Sequence, residues 1–166
     1  MQKGLLCASA LLLFVGCATP AGPGKCRVKV VTSTTPQVNL DRQGNSLPTT
    51  VRFFELKGVD KLKNAGFSDA WEAPKQALGD SLLESHEYVV YPEQKHTETV
   101  LINDEATHVA AVAVFREPEG TDWRAYAKLP PMGTVERCRE DEPGGPLYLL
   151  LAGNDIKASN KPFDEQ

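Results

Sequence analysis

Between Arg27 and Leu151 the chain is written in apolar runs of five to eight residues, each closed by a cluster of Pro, Gly, Asn or Asp. Runs this short cannot bury themselves as helices, whereas alternation with a period of two presents one face of a strand to a core. Eight segments qualify: Arg27–Ser33, Thr50–Leu56, Glu87–Tyr91, Glu98–Ile102, His108–Phe115, Trp123–Lys128, Thr134–Cys138 and Leu147–Leu151. Val28 and Val30 share a face of the first. In the second, Val51 and Phe53 point inward and Phe54 joins them at a bulge. His108–Phe115 (HVAAVAVF) is the most continuously apolar and is expected to be a central strand. Strands at this spacing predict an all-β fold, a two-sheet β-sandwich of about eight strands.

One stretch breaks the pattern. From Val59 to Leu83 the residues Leu62, Ala65, Trp71, Ala77, Leu78, Leu82 and Leu83 fit short helical turns, and Gly66, Pro74 and Gly79 cut them into pieces. The expectation is a small helical insert over about residues 58–83, after the second strand, packed on one edge of the sandwich by Phe67 and Trp71.

The N-terminus reads as an address. Lys3 precedes an uncharged stretch, Gly4 to Val15, whose twelve residues fall short of the roughly twenty that span a bilayer. A short apolar run behind a basic start is a secretory signal peptide. It closes on Phe14-Val15-Gly16-Cys17, small residues just before a cysteine, the pattern of a bacterial lipobox. The expected organisation is a signal peptide over residues 1–16, lipidated Cys17 with a Pro/Gly/Ala tether to residue 25, and a sandwich domain over 26–166. Several acyl chains on one cysteine anchor firmly. Ala18 follows the cysteine where an Asp signals inner-membrane retention. The expected location is therefore the inner leaflet of the outer membrane, facing the periplasm.

Of four cysteines, Cys7 leaves with the leader and Cys17 is acylated. Cys26 and Cys138 remain, in an oxidising compartment where they form a disulfide or stay as two buried thiols; the disulfide is the expectation. Removing Lys3 leaves 17 basic against 22 acidic residues, a net charge of −5. An acidic chain lacks the basic face that binding nucleic acid requires. It also has no electrostatic reason to lie on anionic lipid, which leaves anchoring to the acyl group.

The chemistry-bearing residues form no recognisable catalytic constellation. His86, His96 and His108 lack metal-ligand spacing, and neither HExxH nor CxxC occurs. No GxSxG, phosphate loop or GxGxxG is present. Carboxylate pairs such as Asp104-Glu105 sit in turns, and the acidic run Glu140-Asp141-Glu142 precedes Pro143. Trp71 and Trp123 could stack on sugar, although core or edge packing is several times more common for lone tryptophans. No enzyme activity, cofactor or metal is expected.

The longest irregular stretch is Thr34–Thr49, and loops of that length are commonly functional. Asn39, Asp41, Asn45 and Ser46 can hydrogen-bond their own backbone and Gly44 supplies a positive φ, so an ordered loop is expected.

Asn39-Leu40-Asp41, Gly44-Asn45-Ser46-Leu47-Pro48 and Val51-Arg52-Phe53-Phe54-Glu55-Leu56 occur in an order that resembles type VI secretion lipoproteins, the TssJ (SciN, VasD) family. The resemblance continues through Phe67, Leu78-Gly79, Leu82-Leu83, Tyr91-Pro92, Ala113-Val114-Phe115-Arg116 and Trp123-Arg124, behind the lipobox. It departs at Phe14, where Leu is usual, and Cys26 and Cys138 are not part of it. The resemblance implies a transthyretin-like sandwich held on the outer membrane. It also implies binding to the periplasmic C-terminal domain of a TssM/IcmF-like inner-membrane protein, in a complex that also contains TssL. Carried over, the contacting loop between strands one and two is Gln37, Val38, Asn39, Leu40, Asp41, Arg42, Gln43, Gly44, Asn45, Ser46, Leu47 and Pro48. The rival expectation is a periplasmic ligand- or carbohydrate-binding lipoprotein, with an aromatic-lined concave face.

Overall fold

A computed structural model of the protein describes residues 25–118, 120, 122–131 and 144–163. Two antiparallel-rich, four-stranded sheets face one another, in the orders β4-β1-β7-β8 and β3-β2-β5-β6. The first contains β1 (Lys25–Val38), β4 (Lys95–Asn103), β7 (Gly144–Gly153) and β8 (Asp155–Ser159). The second contains β2 (Thr49–Leu56), β3 (Leu82–Val90), β5 (His108–Ala113) and β6 (Arg124–Lys128). This is the all-β sandwich the strand spacing predicts. Among the described residues the packed core runs from Val28 to Ile156.

Three short helices, α1 (Asp60–Asn64), α2 (Phe67–Glu72) and α3 (Pro74–Leu78), and a single 3₁₀ turn fill the connection from β2 to β3. Their position accounts for the run VRFFEL. Phe53 lies opposite His86 with ring centroids 5.1 Å apart, on the face turned toward the other sheet. Glu55, two residues on, accepts the Asn103 N–H from β4 at 2.9 Å. Phe54 and Leu56 therefore point the other way, yet both are wholly buried. Leu62, Ala70 and Leu78, one from each helix, join them in the core. The expected bulge at Phe54 is thus a correction: both faces of β2 are covered, and the register irregularity falls between Glu55 and Leu56 instead.

Two arginines hold the insert down. Arg124 donates to the carbonyls of Leu62, Ala65 and Lys63 at 2.7–2.8 Å, satisfying α1's orphan C-terminal acceptors. Arg52 donates to the Trp71 carbonyl and lies 4.2 Å from that ring's centroid. Phe67 stacks on Trp71 and meets Trp123 edge-on, so both tryptophans are packing residues.

Several boundaries differ from expectation. Leu82 and Leu83 open β3 rather than closing the insert. β1 continues to Val38, because Thr34 points inward and donates to the Tyr91 carbonyl at 2.6 Å, giving a polar segment a reason to stay extended. β5 ends at Ala113, and β8 is a strand the apolar pattern did not mark. The expected strand Thr134–Cys138, the acidic run at 140–142, and Cys7, Cys17 and Cys138 lie outside the described residues.

At the β3–β4 rim, edge strands of different sheets meet through side chains. His86 and Glu98 are 3.1 Å apart, and the buried Tyr88 hydroxyl shares a hydrogen bond with Thr32 at 2.9 Å. The Glu98 hydrogen bond raises the His86 pKa above its ordinary 6.5 against opposing burial, helped by Glu55 and Glu84. Tyr88 and His96 complete the ring stack beside it. A raised folded-state pKa gives stability that is complete below pH 6.5 and is lost as pH rises through the folded value. Partial exposure keeps the effect below about 1 kcal/mol. Thermal midpoints of the wild type should therefore fall between mildly acidic and mildly alkaline pH, and His86→Gln should flatten that dependence; identical pH profiles would exclude the pair as its source.

Candidate functional site

The sandwich has two distinct ends. β1 pairs Lys25 with Asn103 at one and reaches Gly153 through Val38 at the other. Leu56, His108 and Lys128 gather at the Lys25 end. The β1–β2 connection, the β3–β4 turn, the β5–β6 loop and the β7–β8 turn gather at the far end. The fourteen residues of β1 separate the two by about 45 Å.

The expected site loop, residues 37–48, is at this far end. Gln37 and Val38 are the last residues of β1; Asn39 to Pro48 form a closed lobe. Leu40 and Ser46 make an isolated antiparallel bridge at its neck. The Asp41 N–H donates to the Asn45 carbonyl at 2.9 Å, and the Ser46 hydroxyl donates to the Pro36 carbonyl. At the tip the Asp41 carboxylate accepts the backbone N–H groups of Gln43 and Asn45 and the Asn45 side-chain amide, at 2.8–3.1 Å. The Asn45 side chain, then the Asn45 N–H, holds the Asp41 carboxyl below its ordinary range. Gly44 turns the chain with φ of 82°, a conformation that costs glycine little.

Asn39 has a role beyond the local turn chemistry expected of it. It adopts φ of 51° and is 5% exposed. Its Nδ2 donates to the carbonyls of Pro48 at 3.1 Å and Val114 at 3.5 Å. Its Oδ1 accepts the Arg116 N–H at 2.7 Å, and its own N–H donates to the Gly153 carbonyl at 2.7 Å. One side chain thus ties the lobe to the β5–β6 loop and, through its backbone, to the β7–β8 turn. No sequence signal separates such an asparagine from an ordinary turn residue.

Arg42, Gln43, Gly44 and Asn45 are exposed. The Arg42–Glu117 pair, at 3.2 Å with side chains 84% and 56% exposed, adds little to stability. A groove of about 440 Å³ runs beside the lobe between Pro36, Gln37, Leu40 and Gly153. At the same end the Tyr91–Gln94 turn is held on β1 by Thr34 and presents Tyr91 at 56% exposure. The whole is a hydrogen-bonded lobe with exposed polar groups at its tip. Such a surface loses little conformational freedom on engaging another protein.

Among the described residues, no three His, Cys, Asp or Glu side chains converge as a metal site. Cys26 is buried at the start of β1 and is disulfide-bonded. The histidines serve structure: His86 in the rim, His96 on Tyr88, and His108 beside the Thr107 hydroxyl.

Residues 26–141 match the model of a family described as type VI secretion lipoprotein, with the names VasD, EvfM and TssJ. Among solved structures, the chain is similar to the type VI lipoprotein TssJ1 from Pseudomonas aeruginosa, at 20% identity and a TM-score of 0.71, covering 83% of this chain and 98% of that one. It is similar to Lip from Serratia marcescens, a membrane-bound component of the type VI secretion system, at 21% identity and a TM-score of 0.70, covering 80% and 96%. A third likeness is to a chain in the structure of the TssM C-terminal domain from EAEC, at 16% identity and a TM-score of 0.63, covering 81% and 98%. A search of the curated proteins found no significant match.

Proposed function

The chain belongs to the type VI secretion lipoprotein family, and from that premise we propose that it tethers a TssM/IcmF-like inner-membrane protein to the outer membrane. Family membership makes it a membrane lipoprotein and a structural part of the secretion machine. On the present reading Cys17 carries the acyl chains, residues 18–25 are the tether, and the sandwich faces the periplasm. The lobe contacts the periplasmic C-terminal domain of the TssM-like partner, in a complex with TssL. Cys26 pairs with Cys138. The role is mechanical and non-catalytic: load entering at the lobe passes along β1 to the anchored end.

The observation that carries this reading is the position of the lobe. It lies at the end opposite Lys25, exposes Arg42 to Asn45, and is braced by Asn39 rather than left loose. The likeness to a chain in the TssM C-terminal domain structure supports the choice of partner.

Two experiments test it. The purified mature chain should retain the periplasmic domain of the TssM-like protein from the same bacterium in a pull-down; absence of retention would remove the partner. Cys17→Ser should shift the protein out of the outer-membrane fraction. Unchanged membrane fractionation after a wash at about 0.5 M salt would remove the lipid anchor, because several buried acyl chains contribute about 0.8 kcal/mol per CH₂ and that contribution is not screened by salt.

A further inference from the structure

The net charge of −5 conceals how the charge is arranged. Register fixes which residues share the outward face of the β4-β1-β7-β8 sheet. Arg27 lies opposite Leu101, Lys29 opposite Thr99 and Ser33 opposite Lys95. Val31 lies opposite Tyr148, and Leu150 opposite Lys157. Arg27, Lys29, Lys95 and Lys157 therefore stand on one face. The carboxylate among the described outward positions of these strands is Asp155, 3.4 Å from Lys157. Glu98 is turned inward to His86. Most of the described acids lie elsewhere: Asp60, Asp69, Glu72 and Asp80 on the helical insert, where Lys61, Lys63 and Lys75 largely balance them, and Glu84 and Glu87 on β3. The cationic face also carries apolar surface, with Leu101 51% exposed and Tyr148 and Leu150 partly exposed.

We propose that this sheet face docks on the anionic headgroups of the bilayer that holds the chain. Cations interspersed with exposed Leu101 and with Tyr148, partly covered beside Pro162 and Phe163, suit a headgroup boundary, where charge meets phosphate and apolar side chains enter the interface. Arg27 and Lys29 follow Lys25 on the strand that leads out of the tether, so the tether brings them toward the surface; at the same end Glu105, just beyond β4, is paired with Lys57. About 7 Å separates them along the strand, so both engage together. Docking leaves the insert on the opposite sheet and the lobe at the far end uncovered. On this proposal the placement of charge on one sheet face, and not the net charge, sets the attraction to lipid. The lipid anchor of the proposed function enters only in saying which bilayer is near; docking itself needs no acyl chain.

The test uses the chain from residue 18, which contains the complete core and carries no lipid. Co-sedimentation is measured with vesicles of phosphatidylethanolamine and phosphatidylglycerol, and with vesicles of phosphatidylcholine alone. Roughly tenfold stronger partitioning to the anionic vesicles is expected, abolished by about 0.5 M salt and by R27E/K29E. The matched variant K61E/K75E, on the insert, should bind as wild type does. Equal binding to both vesicle types, insensitivity to salt, or equal loss in the two variants would overturn the proposal. So would retention on peptidoglycan sacculi without vesicle binding, which would make the wall the occupant. Because the wild-type salt dependence is read without any mutation, a variant that fails to fold does not rescue the idea. Partner pull-down by the same unlipidated chain is independent of all these outcomes.

Discussion

Phe54→Ala is expected to lower the unfolding free energy by about 3–5 kcal/mol. Phe54 is on the face of β2 turned away from the sheet partner, fully buried in the cluster that takes Leu62, Ala70 and Leu78 from the insert. Ala110 is its neighbour across the strand pair. An alanine there leaves the three short helices without the side chain they close over, and none of them has a side-chain cap of its own. Helices of five or six residues do not persist in water unaided. Urea denaturation of Phe54→Ala should therefore show a lower midpoint, and hydrogen exchange should show early loss of protection across residues 60–78. Phe54→Leu should cost less, about 1–1.5 kcal/mol. A loss below about 1 kcal/mol for the alanine variant would mean that the insert is not sealed on this sheet.

The second large effect is at Asn39. Asn39→Ala should cost about 2–4 kcal/mol, from stranding the Arg116 N–H and two carbonyl acceptors and from losing asparagine's tolerance of positive φ, which alanine lacks. The two causes separate cleanly. Asn39→Gly relieves the backbone while still losing the hydrogen bonds, so it should recover about 1 kcal/mol. Asn39→Asp keeps the acceptor for Arg116 and loses both donated bonds. If alanine and glycine are equally destabilising, the positive φ of 51° carries no penalty. If aspartate is silent, the Pro48 and Val114 bonds contribute nothing.

These two residues also show where sequence reasoning reaches and where it stops. Alternation revealed the strands because most of them have one wet face, and the uninterrupted apolar run of HVAAVAVF correctly marked β5 as central, since both of its faces are covered. The same logic misread Phe54, because a strand buried on both sides loses its period, and a bulge then looks like the simpler explanation. Thr34 to Val38 read as loop from its polar residues. The structure keeps it extended because buried Thr34 satisfies the turn carbonyls of Tyr91 and Gln94. β8 was silent because DIKAS contains one buried apolar side chain. The tip of the lobe was legible, since Asp41, Gly44 and Asn45 carry their turn chemistry with them. The post beneath it was not: Asn39 acts through Val114 and Arg116, more than seventy residues away. The cationic sheet face was likewise invisible, because a net charge has no direction until register assigns each residue to a side.

That distinction decides how the tethering claim should be tested. Replacing the whole loop would remove Asn39 and confound folding with binding. Replacing only the exposed tip, Arg42 to Asn45, with Gly and Ser leaves the neck and its post intact. Calorimetric titration of the mature chain with the periplasmic C-terminal domain of the TssM-like protein, alongside a denaturation curve for each chain, gives both quantities. The prediction is affinity reduced about tenfold or more with the unfolding midpoint within error of wild type. Unchanged affinity in a folded tip variant would contradict the lobe as the point of attachment.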